Sequence, residues 1–354
     1  MQAVAEQLQA LGVTSDQLRY VGSRRGQEAT LLAAGPIALT LLPGRGIQRS
    51  LTLTSLVSNL AAVMGLGAAV VSAIIKVGAW RPSVVVSVGG YASFATSLAA
   101  VLWRRPLVLV EFDATPGASQ KILSRFAARR CTPFVADGPR SVTTGTPLRE
   151  TIVAIDRSDG ARREMRRRIT PPIDTGRSVV VVMTGSLGAH RVNSAVSELA
   201  SLWASRHDRT LVHVTGRRDF AEVVAARPAT DGLDYRIIEF GDMTQLWAVC
   251  DVALCRSGAI TVGELTALAI PAVLVPLPGA PGDHQTKNAL AVVNAGGARM
   301  LRDTQCTGPA LATVLDEILE PTTLAAMQTA SSSLGRRDGA AAIARVVLDV
   351  SGRS

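Results

Sequence analysis

The chain has 354 residues, 47% hydrophobic but only 4% aromatic, and a net charge of +9 carried almost wholly by arginine, since lysine occurs only at Lys76, Lys121 and Lys287. That length holds two domains, and an Ala, Val, Leu and Ile filling suits helix-flanked parallel sheets and excludes disorder; the charge favours an anionic lipid or a phosphorylated substrate. Nucleic acid is not expected, because aromatics do not interleave with basic residues and no helix-turn-helix or zinc pattern is present, and Cys131, Cys250, Cys255 and Cys306 form no CxxC pair and read as free thiols.

The opening MQAVAEQLQALG has neither a basic n-region nor an apolar h-region, so it reads as a helix already under way and not as a secretion signal. The segments LRYVGS, IALTLLP, VVVSVGG and LVLVEFDA then alternate with apolar helical stretches, the rhythm of a parallel βαβ sheet. Between the second and third lies Leu51 to Ile75, without a charge and longer than the roughly 20 residues that span a bilayer. Ser55, Ser58, Asn59, Gly65 and Gly67 interrupt that run, and its place between two strands favours a pair of short helices, buried or lying at an interface, over a membrane span. GTPLRE and TPPIDTGR bracket the charged stretch Ala161 to Arg168, which reads first as a solvated helix face and second as a lipid or nucleic-acid patch. The strand rhythm restarts with VVVVMTG, TLVHVTG, DYRIIEF, DVALCR and AVLVPL, and Arg336 to Val350 reads as an Ala-rich terminal helix. The expected division is therefore 1–147, 148–335 and a terminal helix, 336–354, that packs back on the first domain.

Chemistry is carried by two strand-to-helix turns. Val179 to Ala200 is an all-apolar strand that turns over Gly185, Ser186, Gly188 and Ala189 into a helix; a continuous Val run marks a parallel strand buried on both faces. Its carboxyl end is where open α/β sheets place ligands, and a helix N-terminus there suits a phosphate or pyrophosphate. The plainer reading is a tight βα turn. The second turn, Ser257-Gly258-Ala259, opens a helix near Thr261 with Glu264 in its first turn, as a cap of that helix or as a grip on paired ribose hydroxyls. Gln285 and Asn288, three apart on a later helix, share one face and suit sugar hydroxyls, although either alone is more often a cap or a surface amide.

These residues are also where a family resemblance lies. RSGAITVGE followed by DHQTKNA is similar to the signature of the MurG family, bacterial UDP-N-acetylglucosamine:lipid I N-acetylglucosaminyltransferases. VVSVGGYAS resembles the family's GGY loop, TGSLGAHRVN its GGSxGAxxxN loop, TGTPLR its GNPVR linker and EFGDM its FIDDM segment, and weaker echoes such as YVGSRRGQEA extend the likeness over nearly the whole chain. The resemblance implies an α/β, GT-B architecture of two Rossmann-like domains facing a cleft, the carboxyl half binding UDP-GlcNAc and the amino half the undecaprenyl-diphosphate-linked muramoyl pentapeptide. It implies Ser186 and Gly188 at the pyrophosphate, Arg149 near the donor, Ala259, Ile260, Thr261 and Val262 in the nucleotide loop with Glu264 on the ribose, Phe240 and Gly241 near the uracil, Gln285 and Asn288 on the sugar, and Gly89, Gly90 and Tyr91 on the acceptor side. No metal or cofactor is implied, because helix dipoles and an Arg neutralise the departing UDP. The implied place is the cytoplasmic face of the membrane, held peripherally on an anionic surface.

The chain also departs from the family. The family begins with a strand and a GGTGGH-type loop carrying a His, whereas MQAVAEQL aligns with the helix that follows; the expectation is a first sheet without its central strand and a shortened reading of a longer gene. HEQN has become VEFD, Val110 to Asp113, leaving Asp113 or Glu111 as the base that takes the acceptor proton, each equally readable as a structural carboxylate. The FIDDM region is one residue shorter, at Phe240 and Gly241. Alternatives to lipid I transfer are a non-catalytic UDP-sugar-binding relative and a transferase acting on another lipid such as diacylglycerol.

Overall fold

The computed structural model describes residues 1–24, 32, 35–43, 53–135, 138–185 and 188–352, the side chains of 53–64 excepted. The chain divides into two compact units, Met1–Pro147 with Asp338–Ser354, and Leu148–Arg337.

In unit 1, β1 (Arg19–Ser23) pairs in parallel with β2 (Ala38–Leu42), Arg19 opposite Ala38. A separate four-stranded parallel sheet has the order β3 (Val85–Ser87), β4 (Leu107–Val110), β5 (Arg129–Thr132), β6 (Ser141–Thr143). The helix Tyr91–Leu102 packs against both β1 and β3, yet among the described residues no strand joins the two, so this unit carries two sheets. Every residue of β4 is buried, as a central parallel strand requires. Its Val108 and Val110 share a core with Val4 and Leu8 of the helix Gln2–Ala10 and Ile343 and Val347 of the helix Gly339–Ser351. The terminal helix comes so close that a Cβ at Gly339 would stand 2.4 Å from the carbonyl oxygen of Thr146.

The uncharged run departs from the expected pair of short helices. Leu53–Trp80 is one helix of 28 residues, continuous through Gly65 and Gly67; Leu51 and Thr52 lie outside the described residues. Each glycine costs about 1 kcal/mol relative to alanine, which does not outweigh burial of Ala69, Ala73 and Val77 against Ala92, Ala95 and Ala99 of the neighbouring helix. Among the described residues no helix is long and apolar enough to cross a membrane.

Unit 2 is built on one six-stranded parallel sheet of order β12-β11-β10-β7-β8-β9, with β7 (Ser178–Met183), β8 (Arg209–Val214), β9 (Asp234–Ile238), β10 (Val252–Cys255), β11 (Ala272–Leu274) and β12 (Ala298–Met300). The chain runs outward from β7 through β9, returns to the centre at β10 and runs out the other way. The topological switch point is therefore between β7 and β10, whose carboxyl ends form the crevice where such sheets bind ligands. Val179 to Val182 are wholly buried.

The charged stretch is not simply solvated. It lies in the helix Asp159–Arg168, and Arg162 and Arg166, one turn apart, both pair with Asp251 at the amino end of β10. Asp251 Oδ2 also accepts the backbone N–H of Val179 at 2.7 Å. Arg166 is 6% exposed, so its charge is neutralised inside the fold. The other arginines of the stretch stay outside.

Candidate functional site

The loops after β7 and β8 interlock through their backbones. Gly185 and Gly188 have φ near +87° and +85°, the left-handed region that glycine enters without steric cost. A Cβ at Gly216, in the β8 loop, would stand 2.5 Å from both the carbonyl oxygen of Gly185 and the nitrogen of Gly188. Thr184 Oγ1 ties the same loops by donating to the carbonyls of Val214 and Thr215 at 3.1 and 2.9 Å. The helix His190–Leu202 begins here with no side chain capping its first N–H groups, the arrangement that attracts an anion. Ser186 lies outside the described residues.

Behind the loop runs a buried polar chain. Tyr235 Oη lies 2.9 Å from His213 Nδ1, and His213 Nε2 is 2.9 Å from Asn193 Oδ1. Asn193 Nδ2 donates to Asp219 Oδ2 at 2.8 Å and to the carbonyl of Thr215 at 3.1 Å. Asp219 in turn holds Arg218 through two bonds, Nε to Oδ1 at 2.6 Å and Nη2 to Oδ2 at 3.1 Å. Burial pushes the His213 imidazole down to about 3, so it stays neutral and serves as a fixed spacer between Tyr235 and Asn193.

The second turn follows β10. Gly258 precedes the helix Ala259–Ala267, again without a side-chain cap. Ser257 is wholly buried, its Oγ unpaired among the described residues. Glu264 is not in the first turn of that helix but in its second half, which removes the capping role. It is 7% exposed, and its Oε2 accepts from Trp247 Nε1 at 2.9 Å. Burial raises its pKa, offset by the Trp247 bond and by Arg149 nearby. Of the loop residues, Ile260 is 46% exposed while Val262 is buried, its backbone N–H donating to the carbonyl of Gly258 at 2.9 Å. Phe240 is half exposed with the Arg217 guanidinium 5.5 Å from its ring centre, and a Cβ at Gly241 would strike Leu246.

The first turn opens on a cavity of about 630 Å³, lined by Thr184, Gly185 and Gly188, by His190 and Arg191 of the first helix, by Arg218, Gln285 and Asp303, and by Arg256, which directly precedes the second turn. The expected amide pair is divided. Gln285 lines the cavity and accepts the backbone N–H of Leu277 at 3.0 Å, whereas Asn288 is wholly buried and donates to the carbonyl of Ser257 at 3.2 Å, fixing the second turn. Arg191, Arg218, Arg256 and Asp303 were not among the residues expected from sequence. GRRD after β8 stands at the strand end adjoining TGSLG, and that adjacency was the available signal for Arg218.

In unit 1 the acceptor-side residues sit at the carboxyl ends of adjacent strands. Gly89 and Gly90, both with φ near +84°, precede the helix Tyr91–Leu102, and Tyr91 Oη donates to the carbonyl of Pro43 at 2.9 Å. Glu111, just past β4, is buried and paired with Arg130 at 3.0 Å; Asp113 is half-buried two residues on.

The glycosyltransferase family 28 C-terminal domain matches residues 179–343, and the family's N-terminal domain matches residues 1–132. The UDP-N-acetylglucosamine–N-acetylmuramyl-(pentapeptide) pyrophosphoryl-undecaprenol N-acetylglucosamine transferase of Alkalilimnicola ehrlichii is 35% identical, covering 98% of this chain and 94% of that protein. The protein of the same name from Desulforudis audaxviator is 32% identical over 99% of this chain and 94% of its own. Among solved structures, Acinetobacter baumannii MurG superposes with a TM-score of 0.77 at 23% identity, covering 98% of this chain and 94% of that one. The calicheamicin glycosyltransferase CalG4 superposes at 0.65 and 15% identity, with coverage of 98% and 94%. The fold they share with this chain is GT-B, two parallel-sheet Rossmann-like units.

Proposed function

The chain belongs to glycosyltransferase family 28, in its MurG group, and from that premise we propose that it moves N-acetylglucosamine from UDP-GlcNAc to the muramoyl 4-hydroxyl of lipid I, making lipid II for peptidoglycan. The observation that carries this reading is the cavity at the carboxyl end of the unit 2 sheet, where the uncapped N-terminus of the helix His190–Leu202 and three arginines meet, the setting a UDP diphosphate requires. Glu264, held through one carboxylate oxygen by Trp247, offers the other to the ribose hydroxyls. Phe240, half exposed, stacks on the uracil in this reading, and Gln285, which lines the cavity, contacts the sugar. Asn288 acts one layer back, by holding the turn at Ser257.

In the reaction the 4-hydroxyl attacks the anomeric carbon as the bond to UDP breaks, with inversion. A carboxylate takes the hydroxyl proton. We assign that role to Asp113, which is half-buried and closely follows β4, in preference to Glu111, which is buried and ion-paired with Arg130. Gly89, Gly90 and Tyr91 shape the acceptor side.

Peripheral attachment to the cytoplasmic face is supported by one surface of unit 1. Val71 and Ile75 of the helix Leu53–Trp80 are 58% and 66% exposed, beside Leu102 and Trp103 at 59% and 50%. Trp103 Nε1 donates to the carbonyl of Ile74, joining the two helix ends into one patch. Lys76, Arg81, Arg104 and Arg105 stand in or beside these segments, the pairing of apolar and basic groups that suits an anionic bilayer.

The test is transfer of labelled GlcNAc from UDP-GlcNAc to a short-chain lipid I analogue, with diacylglycerol as the competing acceptor. Transfer to lipid I alone is expected. Transfer to diacylglycerol alone would move the chain to another lipid, and donor binding without transfer would make it a sugar-nucleotide binder. Asp113→Asn should lower kcat about 100-fold or more at little cost in KM. Glu264→Ala should weaken UDP-GlcNAc binding by roughly 10- to 100-fold, as for a lost charged hydrogen bond, and unchanged binding would remove Glu264 from the ribose role.

A further inference from the structure

Three guanidiniums line the unit 2 cavity, and the structure sorts them. Arg256 is the most enclosed of the three, its side chain 15% exposed: its Nη1 donates to the carbonyls of Val275 and Pro276, both at 3.2 Å, and lies 2.7 Å from Asp303 Oδ1. Arg191 and Arg218 are different. Each is about half exposed at the cavity, 53% and 58% for the side chain, and each is held from behind by a better-buried carboxylate. Asp303 Oδ2 is 3.2 Å from Arg191 Nε, and Asp219 grips Arg218 through Nε and Nη2. Arg218 Nη1 has no hydrogen bond among the described residues.

A free arginine carries roughly 2 kcal/mol of rotamer entropy that a ligand must remove. A carboxylate behind the guanidinium removes it beforehand while leaving the far N–H groups for an incoming anion. Asp219 is itself fixed by Asn193, and so through His213 and Tyr235 to the core of the unit. Arg218 is thus oriented from the core and presented in the cavity. The carboxylates cancel part of the charge, but the N-terminus of the helix His190–Leu202 adds positive potential in the same space.

We propose that Arg218 and Arg191 form a two-guanidinium clamp that recognises the diphosphate of a nucleoside-diphosphate sugar, with Asp219 and Asp303 as positioning residues, so that the choice of a diphosphate over a monophosphate rests on these side chains as well as on the backbone of the glycine loop. This rests on the donor reading above. The clamp holds the β-phosphate both in the donor and in the departing UDP, so its removal raises the KM for UDP-GlcNAc and relieves product inhibition by UDP.

The experiment is calorimetric titration of UDP, UMP and uridine into the full chain and into R218A, R191A, R218K and D219N at fixed ionic strength. The expected result is a loss of UDP affinity of about tenfold or more in R218A and R191A, a smaller loss for UMP, uridine within twofold, and partial recovery in R218K, which restores charge without the fork. D219N should follow R218A in weakening UDP while sparing uridine. A wild-type chain that prefers UDP, with that preference intact in R218A and R191A, overturns the inference alone. An equal loss for uridine also overturns it, since the substitutions would then have damaged the cavity as a whole. A wild-type chain that binds UDP no better than uridine removes the donor reading, and the clamp with it.

Discussion

The two units place glycine-rich turns at equivalent points, at the carboxyl ends of parallel strands, but support them differently. In unit 2 the turn after β7 is locked: Gly216 fits against the backbone of Gly185 and Gly188 with no room for a methyl group, and the polar chain from Tyr235 to Asp219 fixes it from below. In unit 1, Gly89 and Gly90 have the same left-handed φ, but a Cβ at Gly90 would meet nothing within 4 Å and one at Gly89 only the Gln120 side chain at 3.7 Å. A diphosphate site gains from a turn that is rigid before the ligand arrives. The open turn in unit 1 leaves space above the backbone, which suits the acceptor-side role proposed for it.

That contrast breaks most sharply at the glycines. Gly216→Ala combines a left-handed φ with a backbone clash and should cost about 4 kcal/mol, whereas Gly90→Ala carries only the conformational cost, about 2 kcal/mol. Denaturant unfolding of the two variants measures both, and equal losses would mean the turns are equally supported. The next effect is in unit 1. Arg130→Ala leaves Glu111 buried without its partner, at about 3 kcal/mol, while Glu111→Gln should cost less and keep transfer activity within a few-fold. Loss of transfer in Glu111→Gln would reassign the base from Asp113 to Glu111. Asn193→Ala should cost about 2 kcal/mol, because the buried His213 and Asp219 each lose a hydrogen bond, and it should weaken UDP binding as Arg218 loses its support. Full UDP affinity in that variant would show that the turn holds itself without the polar chain.

How far the sequence was legible follows the same division. The Val run of β7, the small residues after it and the turn after β10 are local signals, and the switch-point crevice could be read from them. β5, β6 and β12, with sequences RRCT, SVT and ARM, are three or four residues long and lack apolar patterning; their neighbours define them. The reach of Arg166 to Asp251, 85 residues away, and the union of Arg191 with Asp303 are tertiary facts with no local trace, so a charged stretch read as a solvated face and an arginine pair went unseen. A helix start at Thr261 is two residues past the actual start at Ala259, and that shift alone puts Glu264 in the first turn and not the second. Asn288 shows the limit of face arguments: three residues from Gln285, it lies on the same helix but under a turn that only the fold supplies.

The last expected effect is a pH dependence peculiar to unit 2, absent at neutral pH and growing only as the solution is acidified. His213 is wholly buried between Tyr235 and Asn193, and burial holds its pKa near 3 against an ordinary value of 6.5. The folded chain therefore keeps the ring neutral where the unfolded chain binds a proton, between about pH 6.5 and 3. In that window the unfolded state holds more protons, so stability rises with pH. The contribution is complete above pH 6.5 and is lost as pH falls through the window, at up to about 1.4 kcal/mol per unit for one proton. Comparing wild type with His213→Gln, which keeps hydrogen-bonding capacity but does not titrate, isolates this slope from the carboxylates common to both. Unfolding free energies measured from pH 7.5 to 5 should converge as pH falls, because only the wild type loses the His213 share. Parallel curves would mean that the imidazole takes up its proton in the folded state, and that the polar chain behind the donor loop admits water.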